Sequence, residues 1–148
     1  MSDFGFDYTA VREAILNRAE ELRAALEARI REKLGGELLS VRSGALLSSI
    51  ISSVTEDESS VAISVSSTGI TYAAIQEFGG KTAAHEIVAV KGKALAFTAA
   101  GAEVFAKSVH HPGSIIPARS YLGSALNEMD DEMKLSLKQA VLEALGQV

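Results

Sequence analysis

Three histidines, two carboxylates beside a glycine-containing loop and a scatter of serines are the side chains with which this chain could do chemistry. Histidine binds metals and moves protons near neutral pH. His110 and His111 are adjacent, however, and neighbours on an extended strand point to opposite faces, so the pair does not hold one ion together. His85 stands apart, and no zinc-type spacing of histidine and carboxylate accompanies it. No metal and no other cofactor is expected. Glu77 and Glu86 flank the loop 79–84, a placement from which two carboxylates could share acid–base work. With His85 between them they define one functional reading, a small cytoplasmic enzyme or ligand-binding domain built on Glu77, His85 and Glu86. Against it, no serine sits in a Gly-x-Ser-x-Gly elbow. Neither Gly35-Gly36 nor Gly79-Gly80 joins a lysine and a Ser/Thr in a phosphate-cradling loop. The stronger expectation is a protein that is not an enzyme.

Composition narrows the classes further. A chain of 148 residues fits one domain, and 47% hydrophobic content provides for a core. Without cysteine there is neither a disulfide framework nor a thiolate metal site. No apolar run approaches the ~20 residues that span a bilayer, and the first residues lack the basic and apolar regions of a signal peptide. A soluble protein made in the cytoplasm, without membrane partners, is expected. The net charge is −5. Bases and acids number six and five over 8–34, five and seven over 35–117, and three and five over 118–148. No segment is a basic patch, which argues against tight non-specific binding of nucleic acid. Aromatic residues make up 5% of the chain and tryptophan is absent, so stacking platforms for single strands are not expected either.

The elements that position these groups follow from periodicity. Over 8–34, Val11, Ile15, Ala19, Leu22, Leu26, Ile30 and Leu34 recur at three- and four-residue steps, one apolar stripe of a long helix. Asp7 or Thr9 caps its start and Gly35-Gly36 stops it; residues 1–7 read as a flexible leader. Ser43 is placed to cap a short helix that packs Leu46, Leu47 and Ile50. Residues 51–55 and 61–66 form a hairpin around the acidic turn Glu56-Asp57-Glu58, with Val61, Ile63 and Val65 alternating with the small residues Ala62, Ser64 and Ser66. Residues 71–79 read as a two-turn helix with Tyr72, Ile75 and Phe78 on one side and Gly79 at its end. A second hairpin is expected from 86–90 and 94–98 around Lys91-Gly92-Lys93, then a last strand over 103–110. Pro112-Gly113 signals a turn, and Pro117 suits the first turn of a helix, where its missing N–H costs nothing. Residues 117–146 therefore read as a second long helix with Leu122, Leu126, Met129, Met133, Leu137, Val141 and Leu145 as its stripe. The fold class is α+β, an antiparallel sheet of four or five strands flanked by a long N-terminal and a long C-terminal helix, plus two short helices.

Three stretches carry a family resemblance. His111-Pro112-Gly113 followed by Ile116-Pro117-Ala118-Arg119-Ser120-Tyr121-Leu122-Gly123 and a long helix is similar to the C-terminal signature of the virion-morphogenesis and tail-completion proteins of tailed double-stranded DNA phages. Ser120-Tyr121 stands where that family more often has Pro-Phe. Tyr72 to Gly80 resembles its Tyr…Glu-Phe-Gly element, and Ser43 to Ile50 its Ser-Gly-x-Leu…Ser-Ile helix. The resemblance covers most of 40–126. It implies a structural virion protein of the head–tail joint or proximal tail: a tail-completion, tail-terminator or neck protein. Such a protein forms a homo-oligomeric ring, taken as hexameric, between a head-completion (stopper) or portal-side connector protein and the tail tube protein. Genome DNA passes through the lumen without specific binding.

Rings need one heterologous face to meet another, and exposed strand edges suit this. The loop 79–84 and the stretch 110–117 are the expected contact segments. The interface residues are Phe78, Gly79, Gly80, His110, His111, Pro112, Gly113, Pro117, Arg119 and Tyr121. Arg119, read as lying in the first turn of the last helix, opposes the helix dipole there, and a salt bridge to an acid of the same or the next subunit is expected.

Overall fold

The computed structural model describes residues 7–39 and 44–146. Helix α1 runs Tyr8–Glu32. The Asp7 carboxylate accepts hydrogen bonds from the amides of Thr9 and Ala10, both at 3.0 Å, and so satisfies two of the orphan donors of the first turn. Ala19, Leu22, Leu26 and Ile30 of the expected stripe are buried. Past Glu32 the backbone widens into a π-helical turn, Lys33–Glu37, in which Gly36 takes φ +139°, a conformation open to glycine. Of the expected leader 1–7, residues 1–6 lie outside the described residues, as does the Ser43 cap, while Asp7 is fixed as the cap of α1. Gly44 occupies the position before the short helix α2 (Ala45–Ser48).

Strands β1 (Ile50–Glu56) and β2 (Val61–Ser67) pair antiparallel from Ile50↔Ser67 to Glu56↔Val61. Asp57 holds the turn, accepting from the amides and hydroxyls of Ser59 and Ser60, and these bonds bring its carboxyl down to about 2. The hairpin is bolted to α1 by polar contacts as well as apolar ones. Glu27 accepts from the Ser52 hydroxyl and from Arg31 Nε at 2.8 Å. Arg31 also donates to the carbonyls of Leu47 (3.0 Å) and Ile50 (3.2 Å), where α2 gives way to β1.

Helix α4 (Leu122–Ala144) lies antiparallel along α1. Arg18 reaches Ser136 Oγ at 2.9 Å, while at the other end Arg29 and Lys33 both meet Glu128, at 2.8 and 2.6 Å. The fully buried positions of α4 are Ala125 and Ala140, two small residues that let the helix axes approach, whereas Leu126 of the expected stripe is 47% exposed. The core gathers Leu26, Ile30, Leu34, Leu46, Ile50, Ala73, Tyr121 and Ala125.

The fold class is α+β as the sequence implies, but its strands are arranged differently. In place of one sheet of four or five strands, the described residues form eight strands in four two-stranded antiparallel ladders. The expected hairpin of 86–90 with 94–98 does not form. Strand β4 (His85–Val88) pairs with β7 (Ser108–His111), and β5 (Leu95–Ala99) pairs with β6 (Ala102–Ala106). Strand β3 (Gly80–Lys81) pairs with β8 (Ile115–Ile116).

These three ladders are successive stretches of one long hairpin. Gly80↔Ile116, His85↔His111 and Val88↔Ser108 share a register. At 89–94 the outgoing strand bulges against the single residue Lys107, and a shifted register from Leu95↔Ala106 runs to the tip. The turn is Ala100-Gly101, with φ +50° and +83°. Two positive φ values are what a two-residue loop needs to follow the twist of its strands. Lys91-Gly92-Lys93, read from sequence as that turn, is part of the bulge. The last helix also begins later than expected. Residues 117–121 precede it, Pro117 is not in its first turn, and Arg119 lies outside the helix.

Candidate functional site

Helix α3 (Ala73–Phe78) is short, yet it carries the polar group on which the start of α4 depends. Glu77 is buried, with 5% of its surface exposed. Its carboxylate accepts from the Ser120 hydroxyl at 2.6 Å and from the amides of Tyr121 (2.8 Å), Leu122 (2.9 Å) and Gly123 (2.9 Å). Those amides are the donors a helix N-terminus leaves without intrahelical partners. Glu77 thus acts as a capping residue contributed from elsewhere in the chain, and its charge faces the positive end of the helix dipole. Burial by itself would raise its pKa. The Ser120 hydroxyl and the three amides outweigh burial and hold the carboxyl below its ordinary value.

The surrounding backbone closes on the same point. The Arg119 amide donates to the Gln76 carbonyl at 2.8 Å. Gly79 ends α3 at φ +71°, and a Cβ there would sit 2.7 Å from the Ala118 amide nitrogen, so only glycine allows the two segments to lie this close. Tyr121 is buried with 1% of its surface exposed. Burial pushes its phenol pKa up, and the nearby Ser67 side chain offsets this only in part. Tyr121, expected at a contact with a neighbour, is instead a core residue. Its position next to the cap fills the space above Leu46, Ile50 and Ala73. The described parts of the three stretches that carry the family resemblance therefore meet in one place, with α2, α3 and the approach to α4 packed on a common core.

The remaining expected residues belong to the long hairpin or its root. The two expected contact segments, 79–84 and 110–117, face each other as its opposite strands. The Thr82 amide donates to the Ser114 carbonyl at 2.9 Å, and the Ser114 amide to Thr82 Oγ1 at 2.7 Å. Gly113 takes φ +86°, and a Cβ on it would meet the Thr82 carbonyl oxygen at 2.2 Å. His85 and His111, directly opposite across the ladder, stack with ring centroids 5.1 Å apart. Gly113 N–H donates to His111 Nδ1 at 3.0 Å. On the other face His110 meets Glu86 at 2.8 Å. Phe78, at the root, is 78% exposed rather than packed beside Tyr72 and Ile75. Gly80, Pro112, Pro117 and Arg119 are not buried, and among the described residues no acid lies within ion-pair distance of Arg119.

Glu77, His85 and Glu86 are not joined by any hydrogen bond or ion pair among the described residues: Glu77 caps α4, Glu86 holds His110 and His85 stacks on His111. No three His, Asp or Glu side chains of the described residues converge to hold a metal ion. No helix among the described residues is long and apolar enough to cross a membrane.

Two features escaped sequence reading. One is the extent of the hairpin: no residue from 80 to 116 is buried. The other is a groove of about 410 Å³ lined by Leu26 and Ile30 of α1, Ile63 and Val65 of β2, Phe78 beyond the Glu77 cap, and Leu122 and Leu126 of α4. The sequence signal for the hairpin was the near-symmetric run Ala99-Ala100-Gly101-Ala102, a two-residue turn without the usual asparagine. Comparison with protein-family models, with curated proteins and with solved structures returns no match.

Proposed function

We propose that this chain is a structural subunit of a tailed double-stranded DNA phage or a prophage-derived particle, acting at the head–tail joint or proximal tail as a tail-completion, tail-terminator or neck protein. In this reading copies of the chain close into a ring between the head-completion or portal-side connector protein and the tail tube. The observation that carries the reading is the hairpin arm of 80–116. It spends a quarter of the chain on two strands with no buried residue. A lone two-stranded ribbon is marginal in water, and its free edges are templates for another strand. An arm of this kind gains its stability and its use in an assembly. The convergence of the resembling stretches on one core supports the reading, because it assigns them a common task in building the base from which the arm projects.

Enzymatic chemistry has no comparable support, since the buried carboxylate is occupied by helix capping. The net charge of −5 suits a lumen through which DNA slides without adhering, because like charges repel. The direct test is loss of function in the particle. Removing the gene should leave filled heads and finished tails that fail to join, seen by electron microscopy, and supplying the protein should restore joining. Genes for portal, capsid and tail tube found beside this one would agree with the reading. Normal infectious particles made without the protein, or a metabolic operon around its gene, would end it.

A further inference from the structure

The tip of the arm has one face made only of apolar side chains. In the register of β5 with β6, Leu95, Phe97 and Ala99 share a face with Ala102, Val104 and Ala106. Phe97 is 37% exposed, and no member of this face is buried. Below it, Lys91 and Lys93 in the bulge and Lys107 opposite them form a basic collar. The body presents the converse surface, the apolar groove between α1, β2 and the start of α4. A groove of about 410 Å³ is within the size range that accepts bulky apolar groups. Residues 80–116 hold four lysines and two glutamates, a net +2, which leaves −7 on the rest of the chain.

We propose that the apolar tip of one copy seats in the groove of a second copy, so that the chain assembles head to tail through arm and groove. This rests on the ring reading above and names the surfaces that would close the ring. The geometry requires two molecules. Phe78, a wall of the groove, lies two residues before the arm's first strand. The common register from Gly80 to Val88 carries the chain roughly 30 Å outward at ~3.3 Å per residue. The tip ladder of five residues spans only ~17 Å, so a bend at the bulge does not return it to its own groove. Arm and groove are different surfaces of the same chain, and their contact is therefore heterologous, the type that generates rings when the rotation closes. The opposite net charges of arm and body steer the encounter and weaken it in salt.

The test mixes two variants of the full chain. Phe97→Asp places a charge on the tip face. Leu126→Asp, at an exposed position of α4, or Phe78→Asp, at the exposed root of the arm, puts a charge of the same sign at the groove, so that the two altered surfaces repel. Circular dichroism and thermal melting establish that each is folded. Wild-type protein should associate with rising concentration in sedimentation and mass photometry. Each variant alone should associate about 10- to 100-fold more weakly, as expected for losing one buried large apolar side chain. Mixed together, the tip variant and a groove variant should form a one-to-one heterodimer that grows no further, because each supplies the surface the other lacks. Wild-type association undiminished in both groove variants would overturn the arm-in-groove contact and leave the ring reading standing on the particle experiment. A wild-type chain that stays monomeric throughout, or a mixture that yields no heterodimer, would also overturn it.

Discussion

Replacing Glu77 by glutamine changes almost no volume and removes one charge, which isolates what the carboxylate does for α4. In the native protein four donors converge on it: the Ser120 hydroxyl and the amides of Tyr121, Leu122 and Gly123. Glutamine keeps one oxygen and turns an –NH₂ toward donors, so at least one amide loses its acceptor. Hydrogen bonds to charged groups contribute about 1.5–3 kcal/mol each, and a charge well placed at a helix end up to about 2 kcal/mol. These terms overlap, and the expected loss for Glu77→Gln is about 2–4 kcal/mol. Glu77→Ala also opens a cavity and should lose about 3–5 kcal/mol. Urea unfolding at neutral pH, followed by far-ultraviolet circular dichroism, measures both. The pH dependence carries a sign. The folded carboxyl lies below its ordinary value of 4.5, so its contribution is fully present above that pH and fades as acidification passes through the lower folded value. The gap between wild type and Glu77→Gln should therefore be constant near neutrality and narrow below about pH 4.5. A Glu77→Gln protein within about 0.5 kcal/mol of wild type at neutral pH would refute the capping argument.

Tyr121→Phe removes only the hydroxyl near Ser67 and should cost no more than about 1 kcal/mol, whereas Tyr121→Ala empties the core beside Ala73 and should cost about 3–5 kcal/mol; the same urea titrations separate the two. Ala100 sits at φ +50°, where asparagine is better tolerated. Ala100→Asn should stabilise the arm tip by up to about 1 kcal/mol, read as slower amide hydrogen exchange in β5 and β6 with an unchanged melting temperature for the helical body. Arg119→Ala should leave thermal stability unchanged and reduce tail joining, because the guanidinium is exposed and meets no acid within the described part of its own chain; fully infectious particles from this variant would remove Arg119 from the contact surface.

Both long helices and the first hairpin were legible because their signals are local. Apolar residues recur with the helical period, Asp7 stands where a cap is needed, and Val61, Ile63 and Val65 alternate with small residues. The start of α4 was not legible in the same way. Pro117 is a valid local start signal, but the carboxylate that satisfies the first amides comes from Glu77, more than forty residues earlier, and it fixes the beginning at Leu122. The arm was misassigned for a related reason. Lys91-Gly92-Lys93 has the composition of a turn, while the pairing that decides the register joins His85–Val88 to Ser108–His111 across the entire tip. Of the expected contact residues, those on the arm or at its root are accessible. Tyr121 is not, because an aromatic beside a helix start looks alike in sequence whether it faces a neighbour or the core.

The close approach of Gly79 to Ala118 has a bearing on how such a protein can diversify. The chain leaves the body and returns to it at nearly one point, with the Gln76 carbonyl and the Arg119 amide stitched together beneath. To the body, everything between is a loop whose ends are already closed. Closure entropy grows only with the logarithm of length, so doubling the inserted segment costs about 0.6 kcal/mol. The arm can be lengthened, shortened or exchanged as a cassette to suit a different neighbour without renegotiating the fold that carries it.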